Sequence, residues 1–126
     1  MSNISIYSTA CGYVQSSKSG LQFHVGALHQ SRRINAYCAS TRHILTRTVV
    51  EHPDGPDSRP ELDRLLDEIT SPGQRCRLLV VCSRSRLSRD MTKLRRIEAR
   101  LAAAEIELVA LDELPASAST PIAEAL

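Results

Sequence analysis

The chain has 126 residues, 42% hydrophobic and 24% charged, which suits one globular domain with a core large enough to fold without disulfides or a structural metal. Aromatic residues are only 3%, with no tryptophan, so the core is aliphatic and a nucleic-acid site built on stacked rings is disfavoured. The net charge of +2 conceals strong segregation: residues 1–50 carry five basic and no acidic side chains, 51–74 two basic and seven acidic, 75–100 nine basic and two acidic, and 101–126 five acidic and no basic. Such unevenness suits a polyanionic partner, although helix faces with intramolecular partners would also produce it.

In chain order, Ile4 to about Val14 is rich in β-formers and ends at the small polar cluster Gln15-Ser16-Ser17-Lys18-Ser19-Gly20. Residues 22–39 read as a helix with a loose stripe of Ala27, Ile34, Tyr37 and Cys38. Ile44 to Val50 is a β-branched strand, and His52-Pro53-Asp54-Gly55-Pro56-Asp57 is a loop. Pro60 opens a helix whose Leu62, Leu65, Leu66 and Ile69 share one face, and Ser71-Pro72-Gly73 ends it. Leu78 to Cys82 is a continuous apolar run, expected of a strand covered on both faces. A second amphipathic helix runs from about Ser88 to Ala104, with Met91, Leu94, Ile97, Leu101 and Ala104 inward and Ser88 or Asp90 as cap. Ile106 to Leu111 is a last strand, and residues 115–126 read as an Ala/Ser/Pro-rich tail or the start of a truncated helix.

Alternating strands and helices imply one three-layer α/β domain over residues 1–114: a mostly parallel sheet of four or five strands with helices on both faces. Ligands of such sheets bind at the carboxyl ends of the strands, so the loops around Ser16, Asp54 and Ser85 are expected to share a crevice. The cysteines (Cys11, Cys38, Cys76, Cys82) and histidines lack metal-ligand spacing, so no metal or other cofactor is expected and the thiols are read as reduced. No apolar stretch approaches 18 residues and the N-terminus lacks a signal pattern, which points to a cytoplasmic protein with no membrane partner.

The chemistry concentrates in Ser83-Arg84-Ser85-Arg86-Leu87-Ser88-Arg89. This stretch leaves a buried strand with three guanidiniums and three hydroxyls and enters a helix. Arginine grips phosphate oxygens bidentately at any relevant pH, and a helix N-terminus adds backbone donors. Ser58-Arg59-Pro60 sets another guanidinium at a helix mouth, and the basic face continues through Lys93 and Arg96. A serine beside several arginines can act as a nucleophile without a histidine base.

Arg86-Leu87-Ser88-Arg89 before an amphipathic helix, and Arg59-Pro60-Glu61-Leu62 before the previous one, resemble the catalytic domain of serine recombinases, the resolvase/invertase superfamily. The segment from Gln30 to Cys38 is similar to the helix that follows the nucleophile in its large members. The resemblance implies a resolvase-like fold, and DNA cleavage and rejoining in site-specific recombination through a phosphoserine link, without metal or ATP. It also implies DNA as partner and self-association as homodimer or tetramer. Arg59, Arg86 and Arg89 take the phosphate-binding places, with Gln15, Arg84, Ser85, Ser88, Lys93 and Arg96 as further phosphate or DNA contacts. The family's Tyr-x-Arg-Val-Ser motif aligns with Tyr13-Val14-Gln15-Ser16-Ser17. This makes Ser17 the nucleophile and sets Gln15 where the motif has arginine. Ser16 and Cys11 are alternative nucleophiles, Cys11 through the register Tyr7-Ser8-Thr9-Ala10-Cys11. Ser85 replaces the motif's aspartate, so a domain that binds phosphate with reduced or lost cleavage is one form of this reading. The alternative is a non-catalytic interaction module that uses the Arg-rich 75–100 face to bind a protein or nucleic acid.

Overall fold

The computed structural model describes residues 8–16, 18, 20–52 and 58–115. The early part of the expected first strand (residues 4–7), Ser17, the Asp54 loop and the tail after Pro115 lie outside the described residues. Among the described residues four strands and three helices alternate: β1 (Ser8–Gln15), α1 (Gly20–Ser40), β2 (His43–Glu51), α2 (Pro60–Ile69), β3 (Cys76–Val81), α3 (Met91–Ala103) and β4 (Glu107–Ala110). Short 3-10 turns follow β3 at Arg84–Arg86 and β4 at Leu111–Glu113.

The sheet has the order β2-β1-β3-β4, with every pairing parallel. Its side chains divide by strand parity into two cores. On one face Ala10, Val14, Leu78 and Val80 pack against Ala27, Ile34 and Cys38 of α1. On the other, Cys11, Tyr13, Leu79 and Val81 pack against Leu62, Leu65, Leu66 and Ile69 of α2 and Leu94 and Leu101 of α3. This is the expected three-layer arrangement. Gly12 lets α1 come close: a Cβ there would lie 3.0 Å from both Ile34 Cγ2 and Thr48 Oγ1. A second apolar row on α1, formed by Leu21, Val25 and Leu28, faces outward.

One expectation needs correction, and one pair of alternatives is decided. Met91 is exposed rather than inward, because α3 begins at that residue and reaches the core only from Leu94. The capping residue of α3 is Asp90, whose carboxylate accepts from the backbone N–H groups of Thr92 (2.8 Å) and Lys93 (3.2 Å). Ser88 instead closes the turn before it, accepting from Asp90 N at 3.0 Å.

The path reverses at β1. From β1 the chain crosses through α1 to β2 on one side, whereas from β3 it crosses through α3 to β4 on the other. The carboxyl ends of β1 and β3 therefore flank the switch point, where parallel sheets open a crevice.

Candidate phosphate-binding site

A buried carboxylate organises one wall of this crevice. Glu51, the last residue of β2, is 1% exposed. It accepts from Tyr13 Oη at 2.5 Å and from the backbone N–H groups of Glu61 (2.8 Å) and Leu62 (3.1 Å). The latter two are first-turn donors of α2, which has no side-chain cap of its own; the carboxylate satisfies them and meets the positive end of the helix. Burial, then the hydrogen bond to Glu51 and its charge, push the Tyr13 phenol above the usual tyrosine range, so it remains a donor.

The end of β1 is held from both sides. Gln30, buried on α1, donates through Nε2 to the Gln15 carbonyl at 3.0 Å, and its Oε1 accepts from Gln15 N at 3.4 Å. The same carbonyl accepts from Arg86 Nη1 at 3.1 Å, and the Arg86 carbonyl accepts from Arg59 Nε at 2.9 Å. The end of β1, the turn after β3 and the start of α2 thus form one hydrogen-bonded frame. Within it Arg86 Nε is buried and meets no acceptor among the described residues. An unsatisfied buried donor costs about 1–3 kcal/mol, a penalty that an anionic oxygen would relieve.

Arg59 is 7% exposed within the frame, whereas Arg89 is exposed. A neighbouring cavity of about 200 Å³ runs between α2 and α3, lined by Arg59, Asp63, Leu87, Ser88, Lys93 and Arg96. Ser85 is exposed, with its hydroxyl 2.9 Å from that of Ser83. Ser88 is buried, its hydroxyl engaged with Asp90. Gln15 contributes its main chain to the frame, and its residue is 7% exposed.

Arg84 does not join this group. Its guanidinium pairs with Glu98 at 2.5 Å and Glu113 at 2.7 Å, and these partners raise its pKa further, the Glu113 hydrogen bond first. Two carboxylates cancel the charge that a phosphate would require, which removes Arg84 from the phosphate contacts.

The nucleophile alternatives separate as well. Ser16 is 4% exposed, with its N–H on the Glu51 carbonyl (3.2 Å), its Oγ accepting from Lys18 N (3.3 Å), and Gly26 of α1 close above it. Burial takes it out of reach of a bulky phosphodiester. Cys11 lies within β1, four residues before Gln15, or about 13 Å at the usual strand rise. It is buried on the α2 face beside Thr46 Oγ1 at 3.5 Å, which overturns the register that made it a nucleophile. Ser17 lies outside the described residues, but both neighbours are held: Lys18 offers its carbonyl to His52 Nε2 at 2.8 Å, and the His52 ring meets Phe23 edge-on at 4.9 Å.

Glu51, Tyr13, Gln30 and His52 are structural supports of this crevice that pattern reading left without a role. Gln30 had a visible signal, since it is the one polar residue among the buried residues of α1, with Ala27, Ile34 and Cys38. The family profile described as the resolvase N-terminal domain matches residues 10–126. The chain belongs to that family. No curated protein is similar enough in sequence to count as a match. Solved structures agree with the resolvase fold. A resolvase family site-specific recombinase from Streptococcus pneumoniae superposes with a TM-score of 0.72 at 15% identity, over 94% of this chain and 87% of that one. The C-terminal catalytic domain of ISC1926 TnpA, an IS607-like serine recombinase, gives 0.70 at 14%, over 88% and 73%. The N-terminal catalytic domain of TP901-1 integrase gives 0.66 at 17%, over 93% and 87%. In this resolvase domain no helix among the described residues is long and apolar enough to cross a membrane.

Proposed function

We propose that this resolvase domain binds a DNA phosphodiester in the crevice at the carboxyl ends of β1 and β3. Arg59, Arg86 and Arg89 hold the phosphate oxygens, Ser85, Lys93 and Arg96 touch the flanking backbone, and Ser17 supplies the attacking hydroxyl. The serine hydroxyl gives up its proton as its oxygen bonds to phosphorus, the bond to the departing deoxyribose oxygen breaks, and that oxygen takes up a proton; the reverse attack rejoins the strand. The serine recombinases among the solved relatives support this reading of the chemistry. The observation that carries it is Arg86, whose Nη1 is anchored on the Gln15 carbonyl while its buried Nε lacks an acceptor, at the end of the strand leading into Ser17.

Cleavage is slower in this reading than phosphate binding alone would permit. Gln15 is neutral where the family motif places an arginine, and a lost transition-state donor costs on the order of 10²–10³ in rate. The working unit is a homodimer or tetramer on DNA in the cytoplasm. The test is to incubate the protein with supercoiled DNA, denature at intervals and look for a covalent protein–DNA adduct. A low yield of adduct is expected from the wild type, and none from Ser17→Ala or Arg86→Ala. An adduct that survives Ser17→Ala removes Ser17 as the nucleophile. Absence of both adduct and salt-sensitive DNA binding overturns the reading as a whole.

A further inference from the structure

Glu51, the last residue of β2, and His52 after it hold the chain on both sides of residue 17. The pairing of β1 with β2 runs in register to Gln15–Glu51 and continues one step further, where Ser16 N–H donates to the Glu51 carbonyl at 3.2 Å. On the far side, His52 Nε2 lies 2.8 Å from the Lys18 carbonyl. A carbonyl oxygen only accepts, so Nε2 carries the hydrogen of this bond. Lys18 N–H in turn donates to Ser16 Oγ at 3.3 Å, which closes the two held residues onto each other.

The direction of the His52 ring is set from a third element. His52 is exposed, and an exposed side chain left to itself exchanges rotamers freely. Here Phe23 of α1 meets the imidazole edge-on, with the ring centroids 4.9 Å apart and the planes at 75°. Phe23 is half-buried and packs against the core on the α1 face. A ring seated on the core therefore braces the imidazole, and the imidazole spans from the end of β2 to the loop before α1.

We propose that His52 is a positioning residue for strand cleavage: its Nε2–H holds the Lys18 carbonyl and so steadies the segment that aims the nucleophile at the phosphate. The role rests on Ser17 as that nucleophile. Phosphoryl transfer needs the attacking and departing oxygens roughly in line, so a hydroxyl on a segment held at one end only loses rate even where the phosphate is gripped equally well. His52 moves no proton in this role, since neutral imidazole with hydrogen on Nε2 and imidazolium both donate to a carbonyl. A glutamine amide can supply the same donor and cannot act as a base, which separates positioning from proton transfer.

The test compares the full wild-type chain with His52→Ala and His52→Gln by DNA affinity, by the rate of covalent adduct formation on supercoiled DNA, and by hydrogen exchange at the Lys18 amide followed by NMR. His52→Ala should keep its melting temperature and DNA affinity, because the exposed ring lies outside the arginine frame. Its adduct should form about ten-fold more slowly, within the 10²-fold that a misplacement of about 1 Å can cost. Its Lys18 amide should exchange several-fold faster. His52→Gln should recover most of both the rate and the protection. Unchanged Lys18 exchange or an unchanged adduct rate in His52→Ala overturns the proposal. So does a loss of DNA affinity that matches the loss of rate, which makes His52 a DNA contact. Protection restored by glutamine without the rate assigns the imidazole to proton transfer and overturns it as well. A wild type that forms no adduct overturns the Ser17 reading and with it the part of His52 in cleavage, while the Lys18 exchange still decides whether the tie itself exists.

Discussion

Glu51 shows how one side chain can hold three elements. Its carboxylate joins the Tyr13 hydroxyl on β1 to the first turn of α2, and its own backbone belongs to β2. Hydrogen bonds to a charged group contribute about 1.5–3 kcal/mol each. Glu51→Ala leaves those donors buried without an acceptor, so chemical denaturation should show a loss of about 3 kcal/mol or more and a loosened α2. The Tyr13 phenol has the opposite pH signature to a paired carboxylate. Its folded pKa lies above that of the unfolded chain, near 10. The unfolded state therefore releases this proton first, and the contribution is fully present below pH 10 and lost as pH rises further. Stability measured across that range should fall more steeply in the wild type than in Tyr13→Phe, which in turn should be about 1–2 kcal/mol weaker at neutral pH.

At the scale of elements, periodicity made nearly all the secondary structure legible. Leu62, Leu65, Leu66 and Ile69 announce α2, and the apolar run from Leu78 announces a central strand. Contacts between elements were not legible, because no local pattern encodes them. The paired carboxylates of Arg84 lie 14 and 29 residues away, and of the donors to Glu51 the Tyr13 hydroxyl lies 38 residues earlier and the two backbone N–H groups come from an element that begins nine residues later. Cys11 stayed open as an alternative nucleophile for a related reason: motif spacing cannot show that a residue lies four positions inside a strand rather than at its end. The start of α3, by contrast, obeys local chemistry, with Asp90 as its cap. Asp90→Ala should cost about 1 kcal/mol in thermal or chemical unfolding and increase hydrogen exchange at Thr92 and Lys93, next to Arg89.

For the whole molecule, the charge blocks of the sequence partly resolve into one another. The acidic 51–74 segment meets the basic 75–100 segment through Asp67–Arg100, and Arg84 is taken up by Glu98 and Glu113. Exposed pairs of this kind contribute little stability, but they set which cations still face solvent as uncompensated charge. If Arg86 contacts a phosphate, duplex affinity measured by fluorescence anisotropy at several salt concentrations should have a slope that drops by about one unit in Arg86→Ala. The slope for Arg84→Ala should match the wild type. Equal effects from the two substitutions would point to a diffuse basic surface in place of a defined grip.

The frame around the Gln15 carbonyl has a last consequence. Arg86 is oriented by a main-chain oxygen, which is a dipole, whereas Arg84, two residues earlier in the same turn, is oriented by two full negative charges. A dipole fixes direction yet leaves the monopole intact, so the long-range field of Arg86 still reaches into the crevice mouth. Its anchor also has no proton to gain or lose, so a change of pH leaves that anchor chemically unchanged.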